Sequence, residues 1–345
     1  MRKSELYIGL AAVFPLLSGC YKDIDLDEYL PDPVIVVNSA VAPGSTLMAS
    51  VTRSWPYTEV GPSEELDCNL PQARVELYVN DEYRERLCWE QYLPADSSGI
   101  ASDSVFRSHT LIKEGDRIRL SVSAEGYQTV TAETDVPRNT PVMDAECVSM
   151  EERVNPEGDV GDGYGNIIGY NYYALTYHVT FRDDPDTDNY YALTCLRKSG
   201  SYYTDEEYRH PHIETSDPVL KENVDILDGA MGFDGINQNG CFLFTDRQIA
   251  GKRYTLSFEE WTTDKSGNDL AFPLKIRLYS LSKDYYLYLY SVCQITGSTV
   301  DEALGNLGFG EPPRVYSNVE GGVGILGACT MSEREISVDI RQKTE

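Results

Sequence analysis

Short runs in which apolar and polar residues alternate one by one are the feature that most constrains this fold. Residues 73–79 read ARVELYV, and residues 117–122 read RIRLSV. A period of two places the apolar side chains on one face of a β-strand, whereas a helix needs a period of about 3.6. Turn residues follow both runs, Asn80-Asp81 after the first and Glu125-Gly126 after the second. The pattern predicts a mainly β fold built from strands with one buried face.

Residues 34–137 are predicted to form an immunoglobulin-like β-sandwich. Short strand-like segments recur through this region with turn signals between them, which is the spacing expected of two packed antiparallel sheets. Pro137 and Pro141 bracket a linker. The first domain is therefore expected to end near residue 137.

Residues 142–345 are predicted to form a second β-rich domain with long loops and one short helix. The helix is expected over residues 285–295, because Ser282 can accept a hydrogen bond from its first turn and Asp284 suits the exposed N–H groups there. Tyr286, Tyr288 and Tyr290 also alternate as they would in a strand, so a strand is the alternative. Residues 198–240 are predicted to be irregular.

The first 20 residues have the pattern of a secretory signal. Arg2 and Lys3 precede an apolar run that ends at Leu17, too short for a membrane span across about 30 Å of hydrocarbon. The segment ends Leu17-Ser18-Gly19-Cys20 and resembles the bacterial lipobox, in which the cysteine is acylated and becomes the mature N-terminus. This resemblance predicts a signal peptide over residues 1–19 and lipidation at Cys20. An ordinary signal peptide with an incidental cysteine is the alternative.

Residues 20–33 are predicted to be an acidic tether. The sequence YKDIDLDE at 21–28 is similar to the export signal that sends lipoproteins of the Bacteroidota to the outside of the outer membrane. We therefore expect a lipid-anchored protein of the outer membrane that faces the cell exterior. A solvated leader without such a signal is the alternative.

The charge of the chain argues against nucleic acid as a partner. Its 29 Lys and Arg residues face 56 Asp and Glu residues, which gives a formal net charge of −27. Binding to a polyanion depends on clustered cations that release counterions, and this balance has the opposite sign.

The cysteines are consistent with an oxidising compartment. Beyond Cys20 the chain has seven cysteines, none within three residues of another, so the spacing of a zinc site is absent and no metal is expected. Cys68 and Cys88 are the pair closest in sequence, and we predict a disulfide between them.

Three motifs that suggest chemistry have simpler interpretations. Residues 322–327 read GVGILG and match the dinucleotide phrase GxGxxG, but no helix is predicted after them, so a close backbone crossing is favoured. Residues 184–188 read DPDTD, yet the sixth and twelfth places of a calcium loop are Asn189 and Cys195, so a polar turn is favoured. His210-Pro211-His212 has no third ligand nearby. We expect no catalytic residues, no metal and no cofactor.

The 25 tyrosines are the remaining functional signal. An exposed tyrosine offers rigid contact area and a hydroxyl, which suits a peptide, a glycan or another protein. Tyr202, Tyr203 and Tyr208 lie in the irregular region and are the predicted binding residues. The alternative is that tyrosines of this chain fill sheet faces.

Several segments together resemble the Bacteroidota lipoproteins of the domain of unknown function 4249 family. They are DIDL at 23–26, VVN at 36–38, ARVELY at 73–78, EGY at 125–127, FTD at 244–246, GKRYTL at 251–256 and SNVEGGVGI at 317–325. The resemblance implies an outer-membrane lipoprotein often found beside TonB-dependent transporters, with no established enzymatic activity. We expect a non-enzymatic binding or accessory subunit of a TonB-dependent nutrient uptake system. A structural or adhesive surface lipoprotein with no transporter partner is the alternative.

Overall fold

The chain is mainly β, and it has one helix of seven residues or more among the residues described, which confirms the predicted fold class. The computed structural model describes residues 32–55, 68–91, 104–154, 160–161, 167–168, 171–199, 207–221, 241–262, 273–297 and 314–338. All the sheets belong to the unit formed by Val34–Ser54 and Asp67–Glu345.

The strands in chain order are β1 (Ile35–Val41), β2 (Thr46–Arg53), β3 (Arg74–Val79), β4 (Glu82–Arg86), β5 (Cys88–Gln91), β6 (Ser104–Leu111), β7 (Arg117–Ser123), β8 (Val130–Asp135), β9 (Val142–Val154), β10 (Val160–Gly161), β11 (Ile167–Ile168), β12 (Asn171–Arg182), β13 (Tyr190–Ser199), β14 (Glu207–Arg209), β15 (His212–Glu214), β16 (Cys241–Thr245), β17 (Arg253–Thr262), β18 (Leu274–Leu281), β19 (Val319–Glu320) and β20 (Val323–Ile336). The helices are α1 (Pro218–Lys221) and α2 (Lys283–Gly297), and a 3₁₀ turn spans Asp246–Gln248.

One nine-stranded sheet runs through the protein in the order β14-β13-β18-β20-β1-β2-β6-β5, with β16 also paired to β13. A five-stranded sheet has the order β19-β8-β7-β3-β4, and a four-stranded sheet has the order β15-β17-β12-β9. Strands β10 and β11 form a separate pair. The strands of the two predicted domains therefore share a sheet, through the β1–β20 pair; the predicted domain boundaries themselves stay a prediction.

The first hydrophobic core lies between the five-stranded sheet and the β1, β2 and β6 part of the long sheet. Alternate residues of each strand point into it, for example Val75, Leu77 and Val79 of β3. The alternating runs at residues 73–79 and 117–122 are therefore strands with one buried face, as predicted. Leu326 of β20, almost 250 residues away from β3 in the chain, belongs to the same core.

The second core lies between β12 and β17 on one side and β13 and β18 on the other, and it contains a buried ion pair. The Arg197 guanidinium donates through Nε to Glu260 Oε1 at 2.7 Å, and Tyr177 Oη donates to Glu260 Oε2 at 2.8 Å. All three side chains are buried. Burial raises the pKa of the Tyr177 hydroxyl, which keeps it protonated as a donor. Each buried charge thus has its partners, as burial of charge requires.

The third core lies between α2 and the opposite face of the long sheet. Tyr285 and Leu289 of the helix pack with Tyr279, Leu281 and Ile325 of the sheet. Ser282 starts the helix as predicted, because its Oγ accepts from the Tyr285 N–H at 3.4 Å and Asp284 lies in the first turn. The helix spans Lys283–Gly297, so the predicted helix is confirmed over the alternative of a strand.

Strand β20 contributes to all three cores, and glycines allow it to do so. Its first half pairs in parallel with β1, and its second half pairs antiparallel with β18. A Cβ added at Gly324, where φ is +119°, would lie 2.0 Å from the Val37 carbonyl oxygen. A Cβ at Gly327 would lie 2.5 Å from the Tyr285 ring. The interpretation of residues 322–327 as a close crossing is confirmed: Gly322 directly precedes β20, and the other five residues of the motif lie in that strand rather than before a helix.

Asn318 fixes the approach to this crossing. Its side-chain amide donates to the Glu133 carbonyl at 2.8 Å and to the Leu326 carbonyl at 2.9 Å, and its Oδ1 accepts from the Leu326 N–H at 2.9 Å. One side chain therefore joins β8 of the five-stranded sheet to β20 of the long sheet.

In the described part of the chain, no helix is both long and apolar enough to cross a membrane.

The glycine crossing generates a stability prediction. We expect Gly324→Ala to reduce the free energy of unfolding by roughly 3 kcal/mol or more, since the new Cβ adds a clash with β1 to an unfavourable backbone angle. Gly44→Ala is the matched control: its φ is +78°, but nothing lies within 4 Å of the added Cβ. That variant should lose only about 1–2 kcal/mol. Urea unfolding measures the free energy of unfolding of both variants. Equal losses would contradict the close contact of Gly324 with β1.

Candidate ligand-binding cleft

A cleft of about 580 Å³ opens beside the first half of α2. Four separate parts of the chain form it: the start of β13, the short helix α1, the 3₁₀ turn after β16, and α2. Its lining residues are Asp188, Tyr190, Val219, Thr245, Asp246, Arg247, Gln248, Lys283, Tyr286, Leu287 and Tyr290. Its volume is in the range of small-molecule sites, about 300–1,000 Å³.

Tyrosines form one wall of the cleft, which we call the tyrosine shelf and define as Tyr190, Tyr286 and Tyr290. Tyr286 and Tyr290 are one helical turn apart, with ring centroids separated by 6.1 Å and ring planes only 17° apart. Tyr190 packs against Tyr286 with a centroid distance of 5.1 Å. Tyr286 is 9% exposed and Tyr290 is 37% exposed, so the shelf rises from the interior to the surface.

The alternation of β13 places Tyr190 on the shelf. Its neighbour Tyr191 points to the other face of the strand, into the second core. There the Tyr191 hydroxyl donates to Asp183 Oδ1 at 2.6 Å, and the Gly251 N–H donates to Asp183 Oδ2 at 2.7 Å. Burial raises the pKa of the Asp183 carboxyl, and these two hydrogen bonds oppose the shift. Asp183 thus joins the turn before β13 to the turn before β17, next to the cleft lining.

Charged side chains of both signs line the rest of the cleft. Arg247 and Lys283 are exposed cations, and Asp188 is an exposed carboxylate. Asp246 is buried, and its Oδ2 accepts from the Asn189 N–H at 2.8 Å. Burial raises the pKa of the Tyr286 hydroxyl, and the Arg247 charge opposes this shift. The cleft lining therefore has two basic and two acidic residues, whereas the whole chain has a formal net charge of −27.

The helix that carries the shelf is fixed at its first turn. Ser282 Oγ also accepts from the Ala328 N–H at 3.1 Å, and the Ser282 N–H donates to the Ala328 carbonyl at 2.8 Å. Tyr316 Oη donates to Asp284 Oδ1 at 2.5 Å. Because these bonds hold the helix to β20 and to the segment before it, the shelf has a rigid base.

Of the three tyrosines predicted from the sequence to bind a ligand, the structure describes Tyr208. Tyr202 and Tyr203 lie outside the described residues. Tyr208 is on β14, 38% exposed, with Lys275 Nζ located 4.6 Å from its ring centroid. It is not among the residues that line the cleft, and its role in binding stays a prediction. Cys20, the predicted lipidation site, also lies outside the described residues.

The predicted disulfide is not formed in the structure. Cys68 and Cys88 are free thiols, in different environments. Cys68 is buried next to β2, where its carbonyl accepts from the Arg53 N–H at 2.8 Å, whereas Cys88 on β5 is exposed. The correction has a simple reason: a disulfide requires specific distances between the two cysteines, and closeness along the chain does not by itself provide them.

The predicted polar turn at residues 184–188 connects β12 to β13. Hydrogen bonds between its own residues stabilise it. Asp184 Oδ1 accepts from the Asp186 N–H at 3.1 Å, and the Asn189 side-chain amide donates to the Asp184 carbonyl at 2.9 Å. His210 Nδ1 lies 2.8 Å from the Cys195 carbonyl oxygen. Within the described residues, no three His, Cys, Asp or Glu side chains are grouped as a metal site would require.

Sequence reasoning missed the tyrosine shelf, although one signal for it was available. Tyr286 and Tyr290 have the i, i+4 spacing that puts two side chains on the same side of a helix. Tyr190 gives no such signal, because it reaches the shelf only through the pairing of β13 with β18.

The described residues define a β protein with three cores that share one long sheet, and with a tyrosine-lined cleft beside its helix. The chain belongs to the family described as Domain of unknown function (DUF4249), whose model matches residues 22–335. No curated protein matches the chain significantly.

The Asp183 site predicts how stability depends on pH. Since the folded pKa of Asp183 is above its unfolded value of about 3.9, its contribution to stability is complete below that value and is lost as the pH rises through the folded pKa. Tyr191→Phe removes a donor to the ionised carboxylate, so we expect a loss of about 1–3 kcal/mol near neutral pH and a smaller loss below pH ~4.

Chemical unfolding of both proteins at pH 3.5 and 7.5 measures this difference. Tyr290→Phe is the control, since it removes an exposed hydroxyl and should change stability by less than about 0.5 kcal/mol at either pH. A Tyr191→Phe loss that is the same at both pH values would show that the hydroxyl does not act through the Asp183 carboxylate.

Proposed function

We propose that this chain is a lipid-anchored surface protein of the outer membrane that binds a ligand for a TonB-dependent nutrient uptake system, without catalysing a reaction. The observation that carries the proposal is the tyrosine-lined cleft: a concave site of small-molecule size with an aromatic wall and polar groups around it. The proposal assigns the cleft to ligand capture and the N-terminal cysteine to anchoring.

The structure of the cleft supports binding rather than catalysis. Asp246, its buried carboxylate, accepts from the backbone of Asn189 and so holds a turn in place. Tyr190 and Tyr286 are packed against each other, which gives a preorganised surface rather than a reactive group. Recognition by rigid aromatic contact is the role that these residues fit best.

The N-terminal sequence supports the location. Leu17-Ser18-Gly19-Cys20 has the order of residues around an acylated cysteine, and the acidic segment predicted as a tether follows it in the sequence. Two or more acyl chains hold a protein at a membrane stably, whereas one holds it weakly. The proposed host is a bacterium of the Bacteroidota, in line with the sequence resemblance.

A structural or adhesive surface lipoprotein with no transporter partner is the second candidate. The exposed face of the five-stranded sheet favours it, since Tyr83 is 54% exposed there and Arg119 stacks on the Tyr78 ring at 3.8 Å. Tyrosine and arginine are residues typical of protein contact surfaces.

One experiment on native cells tests location and partner together. Proteinase added to intact cells should digest the wild-type chain, whereas Cys20→Ala should be lost from the outer-membrane fraction because it lacks the acylated thiol. After gentle detergent extraction, a tag at the C-terminus should recover the wild-type chain together with an outer-membrane transporter.

Each arm has an outcome against the proposal. Full protection from the proteinase would contradict the proposed location on the cell exterior. Retention of Cys20→Ala in the outer-membrane fraction would contradict the proposed lipid anchor. Recovery of the chain alone, with the anchor confirmed, would favour the structural candidate over the transporter subunit.

A further inference from the structure

The tyrosine shelf has a geometry that identifies the chemistry of its ligand. The ring planes of Tyr286 and Tyr290 are 17° apart, so their faces point in nearly the same direction. Their centroid distance of 6.1 Å spreads them along one turn of the helix. The two rings are therefore nearly parallel and stacked, and Tyr290, the more exposed of the two, offers an aromatic ring to the cleft.

An enclosed cation is excluded by the way the rings meet. A cage for an ammonium group needs aromatic faces that surround an empty centre. Tyr190 and Tyr286 instead contact each other, with a centroid distance of 5.1 Å and planes 44° apart, so nothing fits between them. A ligand must lie on the shelf.

An extended peptide that binds by adding a strand is also excluded at this site. Such binding uses the free N–H and C=O groups of a strand edge. Tyr190 of β13 is paired with Thr245 of β16 on one side and with Leu281 of β18 on the other. The strand beside the shelf therefore has no edge to offer, and side chains alone make the contacts.

The polar groups around the shelf suit hydroxyl groups. Arg247 and Lys283 are donors, Asp188 is an acceptor, and Gln248 is both. These groups sit beside an aromatic surface, so the matching ligand has one face of C–H groups and a circumference of hydroxyls. C–H hydrogens carry partial positive charge and are attracted to the negative face of a tyrosine ring. A pyranose ring has both features.

The charges favour a neutral ligand. Two cations and two carboxylates balance within the cleft lining, and the whole chain has a net charge of −27. An acidic ligand gains nothing from the local charges and is repelled at longer range.

We propose that the cleft binds a neutral carbohydrate, with the face of one sugar ring on Tyr290 and its hydroxyls bonded to Arg247, Gln248 and Asp188. This inference rests on the proposed ligand-binding function and specifies its ligand class. Tyr290 is the shelf residue with the larger exposed fraction and can be changed without opening the core.

Calorimetric titration of the full chain in detergent tests the ligand class. The probes are cellohexaose, maltohexaose, xylohexaose and mannohexaose as neutral sugars, trigalacturonic acid as an acidic sugar, and a tryptic digest of casein as a peptide source. We expect at least one neutral sugar to bind more tightly than the acidic one. Tyr290→Ala should weaken that binding roughly tenfold, whereas Tyr290→Phe should retain it because the ring remains.

Tyr83→Ala is the matched control, since Tyr83 is exposed but lies outside the cleft lining. It should bind the sugar as the wild type does. Binding of peptides but of no sugar, with loss in Tyr290→Ala, would overturn the carbohydrate class and leave ligand capture intact. Sugar binding that Tyr290→Ala does not change would overturn the site. If no probe binds, the carbohydrate inference is wrong, and recovery with a transporter decides the proposed function separately.

Discussion

The parallel contact between β1 and β20 is the interaction on which the rest of the structure depends. It joins residues 36–41 to residues 323–328, almost the full length of the described chain apart. The long sheet is continuous only through this pair, since β2, β6 and β5 lie on one side of it and β18, β13 and β14 on the other. Glycines make it feasible, because at Gly324 any side chain would meet the backbone of Val37.

The same strand explains why the three cores form together. Leu326 faces the first core, Ile325 faces the helix core, and Ile336 belongs to the second core. The position of α2 follows from this, since Tyr285 occupies the space that Gly327 leaves open. Two residues of the tyrosine shelf, Tyr286 and Tyr290, are on that helix. The cleft is therefore a consequence of how β20 crosses the sheet.

Local features of the fold could be predicted from the sequence, and long-range pairings could not. The alternation at residues 73–79 predicts a strand with one buried face, and the Ser282 cap predicts the start of the helix. Both signals lie within a few residues of what they specify. The parallel partner of β1 lies nearly 300 residues away, and parallel pairing leaves no turn signal between the strands.

The candidate site was less predictable for the same reason. Tyr190, Arg247 and Tyr286 are separated by tens of residues and meet through the pairing of β13 with β16 and β18 and the docking of α2. The predictions instead favoured Tyr202, Tyr203 and Tyr208, because a loop-rich region is where exposed tyrosines are usually expected. A shelf on a helix that is capped and packed depends on tertiary contacts, which the composition of a segment does not encode.

Native-state hydrogen exchange tests the β1–β20 contact most directly. If this pair holds the cores together, the amides of residues 36–41 and 323–328 should exchange with one common free energy, equal to that of global unfolding. Mass spectrometry of peptides from these two strands, compared with peptides from β3 and β7, measures it. Exchange of β20 at a much lower free energy than β3 and β7, while those strands stay protected, would contradict the account.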